Sequence, residues 1–150
     1  MPTPSEYLNR AAVIIITGGS SGIGCSIIKA IQTVGTNACI CNLSRSKPEI
    51  LLEKKGVHIS TDLSDPQAVL SAAEQLRTLI ADATSGEVIL INNSGFGDYG
   101  VMPTLDRCKQ LKMIDLNVRA MVDLTLQVLP QMLDRGGAVV NIASTSAFQP

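Results

Sequence analysis

Two apolar patterns alternate along the 150 residues of this chain. Short, nearly unbroken apolar runs mark strands buried on both faces. Stretches with apolar residues every three or four positions mark amphipathic helices. The first run, Ala12 to Thr17, predicts a strand, and a helix follows from about Gly22 to Val34, with Gly35 placed to end it. Asn37 to Leu43 predicts the second strand. Pro48 to Lys55 predicts a short helix closed by Gly56, and Val57 to Ser60 the third strand. Ser64 or Asp65 caps the next helix, with Pro66 near its start and Val69, Ala72, Ala73, Leu76 and Ile80 at helical spacing. Glu87 to Ile91 predicts the fourth strand, and a loop with Gly95, Gly97 and Gly100 follows. A long helical segment then runs from about Leu105 to Leu133, with a break expected near Lys112 and a kink at Pro130. Gly136-Gly137 stops it, and Ala138 to Ile142 predicts the fifth strand.

Such regular alternation predicts an α/β fold, a doubly wound parallel sheet of the Rossmann type, over one domain spanning residues 1–150. Right-handed crossovers give the strand order 3-2-1-4-5. The order reverses between strands 1 and 4, so the segments leaving their carboxyl ends should line one crevice. His58 is expected towards the amino-terminal side of the sheet, away from that crevice, as a surface or core residue.

The segment at the end of the first strand, Thr17-Gly18-Gly19-Ser20-Ser21-Gly22-Ile23-Gly24, carries the chemistry. Strand, glycine-rich turn and helix are the parts of a dinucleotide phosphate site. Missing Cβ atoms let the backbone approach a pyrophosphate, and free N–H groups at the helix start face its charge. The spacing Gly18-x-x-x-Gly22-x-Gly24 differs from the commoner G-x-G-x-x-G.

Thr17-Gly-x-x-x-Gly-x-Gly resembles the cofactor motif of the short-chain dehydrogenase/reductase family, and the resemblance continues from about Ala12 to Pro150. Asp62-Leu63 resembles the family's adenine-contacting pair. Asn92-Asn93-Ser94-Gly95 resembles its Asn-Asn-Ala-Gly segment, with serine in place of alanine. Asn117 falls where the family keeps a structural and catalytic asparagine, and Asn141-Ile142-Ala143-Ser144 is similar to the strand end bearing its catalytic serine. The segments Asn92–Gly100 and Ala143–Pro150 are similar to a bacterial branch of general NAD(P)-dependent reductases.

The resemblance implies an oxidoreductase that moves a hydride between a nicotinamide dinucleotide and a carbonyl or alcohol substrate. It implies that Gly18 to Gly24, Asp62, Leu63, Asn93 and Gly95 hold the cofactor, with Asn92 tying adjacent strands. Ser144 would hydrogen-bond the substrate oxygen, with Thr145 and Ser146 as alternative hydroxyls, and Asn117 would hold a water of the proton relay. The family's catalytic tyrosine and lysine would fall beyond Pro150, so the chain is expected to be the amino-terminal part of a longer reductase, inactive alone. The family often pairs subunits through the long helix, which implies a homodimer or homotetramer.

Cofactor preference rests on the end of the second strand. Ser44 stands where a carboxylate would accept from both adenine-ribose hydroxyls, and Arg45 offers a fixed cation, with Lys47 nearby. This favours NADP(H) over NAD(H). Twelve basic residues against thirteen acidic ones, and four Tyr and Phe in all, give no footprint for nucleic acid. Apolar stretches are too short for a membrane span, and the amino terminus has no secretory pattern, which places the protein in the cytoplasm. Cys39 and Cys41 point the same way from one strand without a second ligand pair, so no metal is expected. The alternative function is a non-catalytic dinucleotide-binding or redox-sensing module, which would bind the cofactor without turnover.

Overall fold

The computed structural model describes residues 3–52 and 56–145. Helix α1 (Pro4–Arg10) leads into β1 (Ala11–Thr17), followed by α2 (Gly22–Val34), β2 (Cys39–Ser44), a 3₁₀ turn (Glu49–Leu52) and β3 (Gly56–Ser60). Then come α3 (Pro66–Asp82), β4 (Glu87–Asn92), a 3₁₀ turn (Met102–Thr104), α4 (Arg107–Ile114), a π-helical segment (Asp115–Ala120), α5 (Met121–Arg135) and β5 (Gly137–Asn141).

The five strands form one parallel sheet ordered β3-β2-β1-β4-β5, an order consistent with right-handed crossovers. β1 lies at its centre, and its side chains alternate between two apolar layers. Ile14 and Ile16 meet Ile28 and Ile31 of α2 on one face. Val13 and Ile15 share the other layer with Leu76 and Ile80 of α3 and with Leu124, Val128 and Met132 of α5. An unbroken apolar run therefore suits β1, because both faces are covered. Full burial of an isoleucine such as Ile28 contributes about 2 kcal/mol.

Local signals set most boundaries. Gly35 ends α2 in the left-handed conformation, with φ of 80°, and its N–H donates to the Gln32 carbonyl. Asp65, rather than Ser64, caps α3 by accepting from the Gln67 N–H, and Pro66 occupies the first turn.

Four expectations need correction. α1 is absent from the pattern reading, yet Thr3 and Glu6 form a reciprocal capping box at its start. The short helix expected over Pro48 to Lys55 is a 3₁₀ turn at Glu49–Leu52, and its last three positions lie outside the described residues. The long helix does not break at Lys112. It runs from Arg107 to Arg135 through the π-helical segment, and α5 continues past Pro130. His58 lies in the middle of β3, in register with Asn42, rather than towards its amino-terminal side, and stays outside the crevice lining as expected.

Burial pushes the Cys41 thiol up to about 12, the neighbouring Cys39 adding a smaller push, so Cys41 stays protonated and unreactive at neutral pH.

Candidate active site

The carboxyl ends of β1, β2 and β4 open onto a crevice of about 640 Å³ at the point where the strand order reverses. Its floor is the glycine turn. Gly18 leaves β1 with φ of 69° and donates its N–H to the Leu43 carbonyl at 2.8 Å. A Cβ on Gly24 would lie 2.3 Å from the Gly18 carbonyl oxygen and 2.6 Å from Asn93 Nδ2, so only glycine lets α2 begin this close to β1.

The start of α2 differs from those of α1, α3 and α4. Thr3, Asp65 and Asp106 each cap a helix through a side-chain oxygen. Ser21 at the start of α2 makes no such bond, and no acidic residue occupies the first turn. The first N–H groups of α2 thus face the crevice with a positive dipole end, at the place where the turn carries least bulk. An anionic group fits there.

Thr17 clamps the β4 side of this floor. Its Oγ1, in a side chain only 3 % exposed, accepts from the Asn93 and Ser94 N–H groups, both at 2.9 Å. Asn93 returns the contact, its Nδ2 donating to the carbonyls of Thr17 at 3.0 Å and Gly18 at 3.3 Å. Asn92, one residue earlier, donates to Asn141 Oδ1 and Thr125 Oγ1, tying β4 to β5 and α5.

The other wall comes from β2, β3 and α4. Ser44, Arg45 and Ser46 line the crevice, and so do Asp62 and Leu63, together with Lys109 and Lys112 of α4. Asp62 Oδ1 accepts from the Ser64 hydroxyl at 2.7 Å and from its N–H at 3.0 Å. These bonds hold the Asp62 carboxyl below the usual range, and the charges of Arg45 and Lys112 add to the effect.

Of the residues singled out in the sequence, Gly18, Ser20 to Gly24, Arg45, Asp62, Leu63, Asn93 and Gly95 all line the crevice. Gly19 lies behind its surface, packed against Asn42 and Ile28. Asn117 sits in the π-helical segment, where its amide closes a two-bond ring with Phe96: Oδ1 accepts from the Phe96 N–H at 3.1 Å and Nδ2 donates to its carbonyl at 2.9 Å. π-Helical turns of this kind are common at functional sites. Ser144 is exposed just beyond β5, whose pairing with β4 extends to the Ile142 N–H on the Asn92 carbonyl. Ser146 lies outside the described residues.

Pattern reasoning missed Asn42, His58, and the clamping role of Thr17. All three act through contacts between residues far apart in the chain, which only the folded sheet brings together.

Comparison with known proteins agrees with this geometry. The family model for short chain dehydrogenases matches residues 12–150. A short chain dehydrogenase of Pseudocercospora fijiensis is 36 % identical over 148 residues, covering 91 % of this chain and 46 % of that protein. L-xylo-3-hexulose reductase of Hypocrea jecorina is 31 % identical, covering 89 % of this chain and 52 % of that protein. Among solved structures, L-sorbose reductase from Gluconobacter frateurii in complex with NADPH and L-sorbose superposes with a TM-score of 0.78. It is 26 % identical, over 96 % of this chain and 57 % of that one. The chain spans about half the length of the curated relatives it matches.

Proposed function

Because the chain belongs to the short chain dehydrogenase family, we propose that residues 1–150 form the dinucleotide-binding domain of an NADP(H)-dependent reductase acting on a carbonyl or alcohol substrate. The observation that carries this reading is the bulk-free, uncapped start of α2 in one crevice with Arg45. A nicotinamide dinucleotide would supply the hydride. The first N–H groups of α2 hold its pyrophosphate, Arg45 its 2′-phosphate, and Asp62 with the Leu63 N–H its adenine. NADPH or NADP is bound in solved structures of this fold, including L-sorbose reductase from Gluconobacter frateurii.

Ser144 donates a hydrogen bond to the substrate oxygen as charge builds there. Asn117, with its amide committed to Phe96, fixes the β4 loop, and so keeps Gly95 and Phe96 beside the reacting end. Replacing Arg45 with alanine is expected to weaken NADPH binding about tenfold, in line with the loss of one charge-assisted contact, and to leave NADH binding nearly unchanged. Tighter binding of NADH than NADPH by the unaltered protein, or an unchanged NADPH constant in Arg45→Ala, would refute the preference.

The long helix supports self-association. Leu111, Ile114, Val118, Val122 and Leu126 follow one another at helical spacing and are all exposed. A homodimer or homotetramer packed through this face is expected, and sedimentation velocity giving a monomer would refute it. No helix of the described residues is long and apolar enough to cross a membrane, and all four cysteines are free thiols. Both features fit a reducing, cytoplasmic setting.

A further inference from the structure

We infer that Asn42 and His58 are positioning residues for the dinucleotide: one buried amide, oriented by an imidazole, holds both the glycine turn and the loop that carries Arg45. The inference rests on the cofactor reading above and adds two residues from outside the crevice lining.

Asn42 is fully buried in β2, and three groups meet its side chain. Oδ1 accepts from the Gly19 N–H at 2.7 Å, while Nδ2 donates to Ser44 Oγ at 2.8 Å and lies 3.0 Å from His58 Nδ1. Gly19 offers only a donor, so the oxygen of the amide must face it. The NH₂ end then faces His58, whose Nδ1 must be the acceptor, with the ring proton on Nε2. Were Nδ1 protonated, two donors would confront each other. Turning the amide over to relieve that would set NH₂ against the Gly19 N–H instead.

The amide has little room to drift. A Cβ on Gly19 would lie 2.5 Å from Asn42 Oδ1 and 2.5 Å from Ile28 Cδ1, so the turn is pressed onto both. From Ser44 the chain of bonds continues, its hydroxyl donating to the Ser46 carbonyl at 2.7 Å. The glycine turn and the Ser44–Ser46 loop are therefore linked through one side chain. Its orientation is set by His58, a residue outside the crevice lining. Buried polar networks of this kind specify one geometry when every member is satisfied.

Three measurements test the relay. His58→Phe keeps a flat ring but removes the acceptor. It is expected to weaken NADPH binding about fivefold, the size of one neutral hydrogen bond, and to speed amide hydrogen exchange at Gly19. His58→Asn places a carbonyl oxygen near the position of Nδ1 and is expected to restore both to near the original values. A purely structural role would not separate the two variants in affinity. The ¹⁵N spectrum of the unaltered protein is expected to show the His58 proton on Nε2, a readout independent of any variant's folding. Unchanged affinity and unchanged Gly19 exchange in His58→Phe, or a proton on Nδ1, would overturn the relay. Failure of the unaltered protein to bind either dinucleotide would overturn the cofactor reading instead, leaving Gly19 exchange and the ¹⁵N spectrum to decide the relay.

Discussion

Gly24→Ala is expected to lower NADPH affinity by about a hundredfold, roughly 2.7 kcal/mol, while the sheet still folds. The added methyl group would sit 2.3 Å from the Gly18 carbonyl oxygen, and that atom is backbone with no rotamer to retreat into. It would also press on Asn93 Nδ2, whose two bonds pin the turn to β4. Relief requires α2 to move away from β1, carrying the first N–H groups out of reach of a pyrophosphate. Overpacking of this kind costs about 1–3 kcal/mol of stability, which a five-stranded core of this size tolerates. Circular dichroism checks the fold and calorimetric titration the affinity. Unaltered NADPH binding in a folded Gly24→Ala protein would mean that the glycine turn is not the phosphate site.

Thr17→Val is expected to destabilise the protein by roughly 2–4 kcal/mol, although the two side chains have nearly the same shape. The Thr17 hydroxyl oxygen is the acceptor for two amides, those of Asn93 and Ser94. Valine leaves both without that partner, and because both amides are only part-buried each loss falls in the lower part of the range of about 1–3 kcal/mol. The β4 loop then loses its attachment to the glycine turn, so cofactor affinity should fall as well. Thr17→Ser keeps the oxygen and should recover most of the lost stability. Urea unfolding measures the difference. Equal midpoints for the valine and serine variants would show that the clamp contributes only through packing.

Elements whose signals are local were legible in the chain. The two-sided apolar run of β1, the Gly35 stop and the Asp65-Pro66 start each depend on neighbours within a few positions, and each appears near its expected place. The strand order followed from right-handed crossovers applied to a doubly wound dinucleotide fold. The π-helical segment was not legible, because one wider turn barely disturbs the spacing of apolar residues, and Ala120 and Leu124 still reach the core on either side of its end. α1 was overlooked because it buries no residue, so only the Thr3–Glu6 cap announces it. The crevice lining was legible as motifs. The Asn42–His58 contact was not, since it depends on a register in which residues sixteen apart lie side by side.

The central claim is that the start of α2, the Ser44–Ser46 loop and the Asn93–Gly95 segment bind one dinucleotide together. The most direct measurement follows backbone amide resonances while the chain is titrated with NADPH. Saturable, one-to-one shifts concentrated at Gly18 to Gly24, Ser44 to Ser46 and Asn93 to Gly95 are predicted. Shifts that never saturate, or that leave the glycine turn unmoved, would contradict the account.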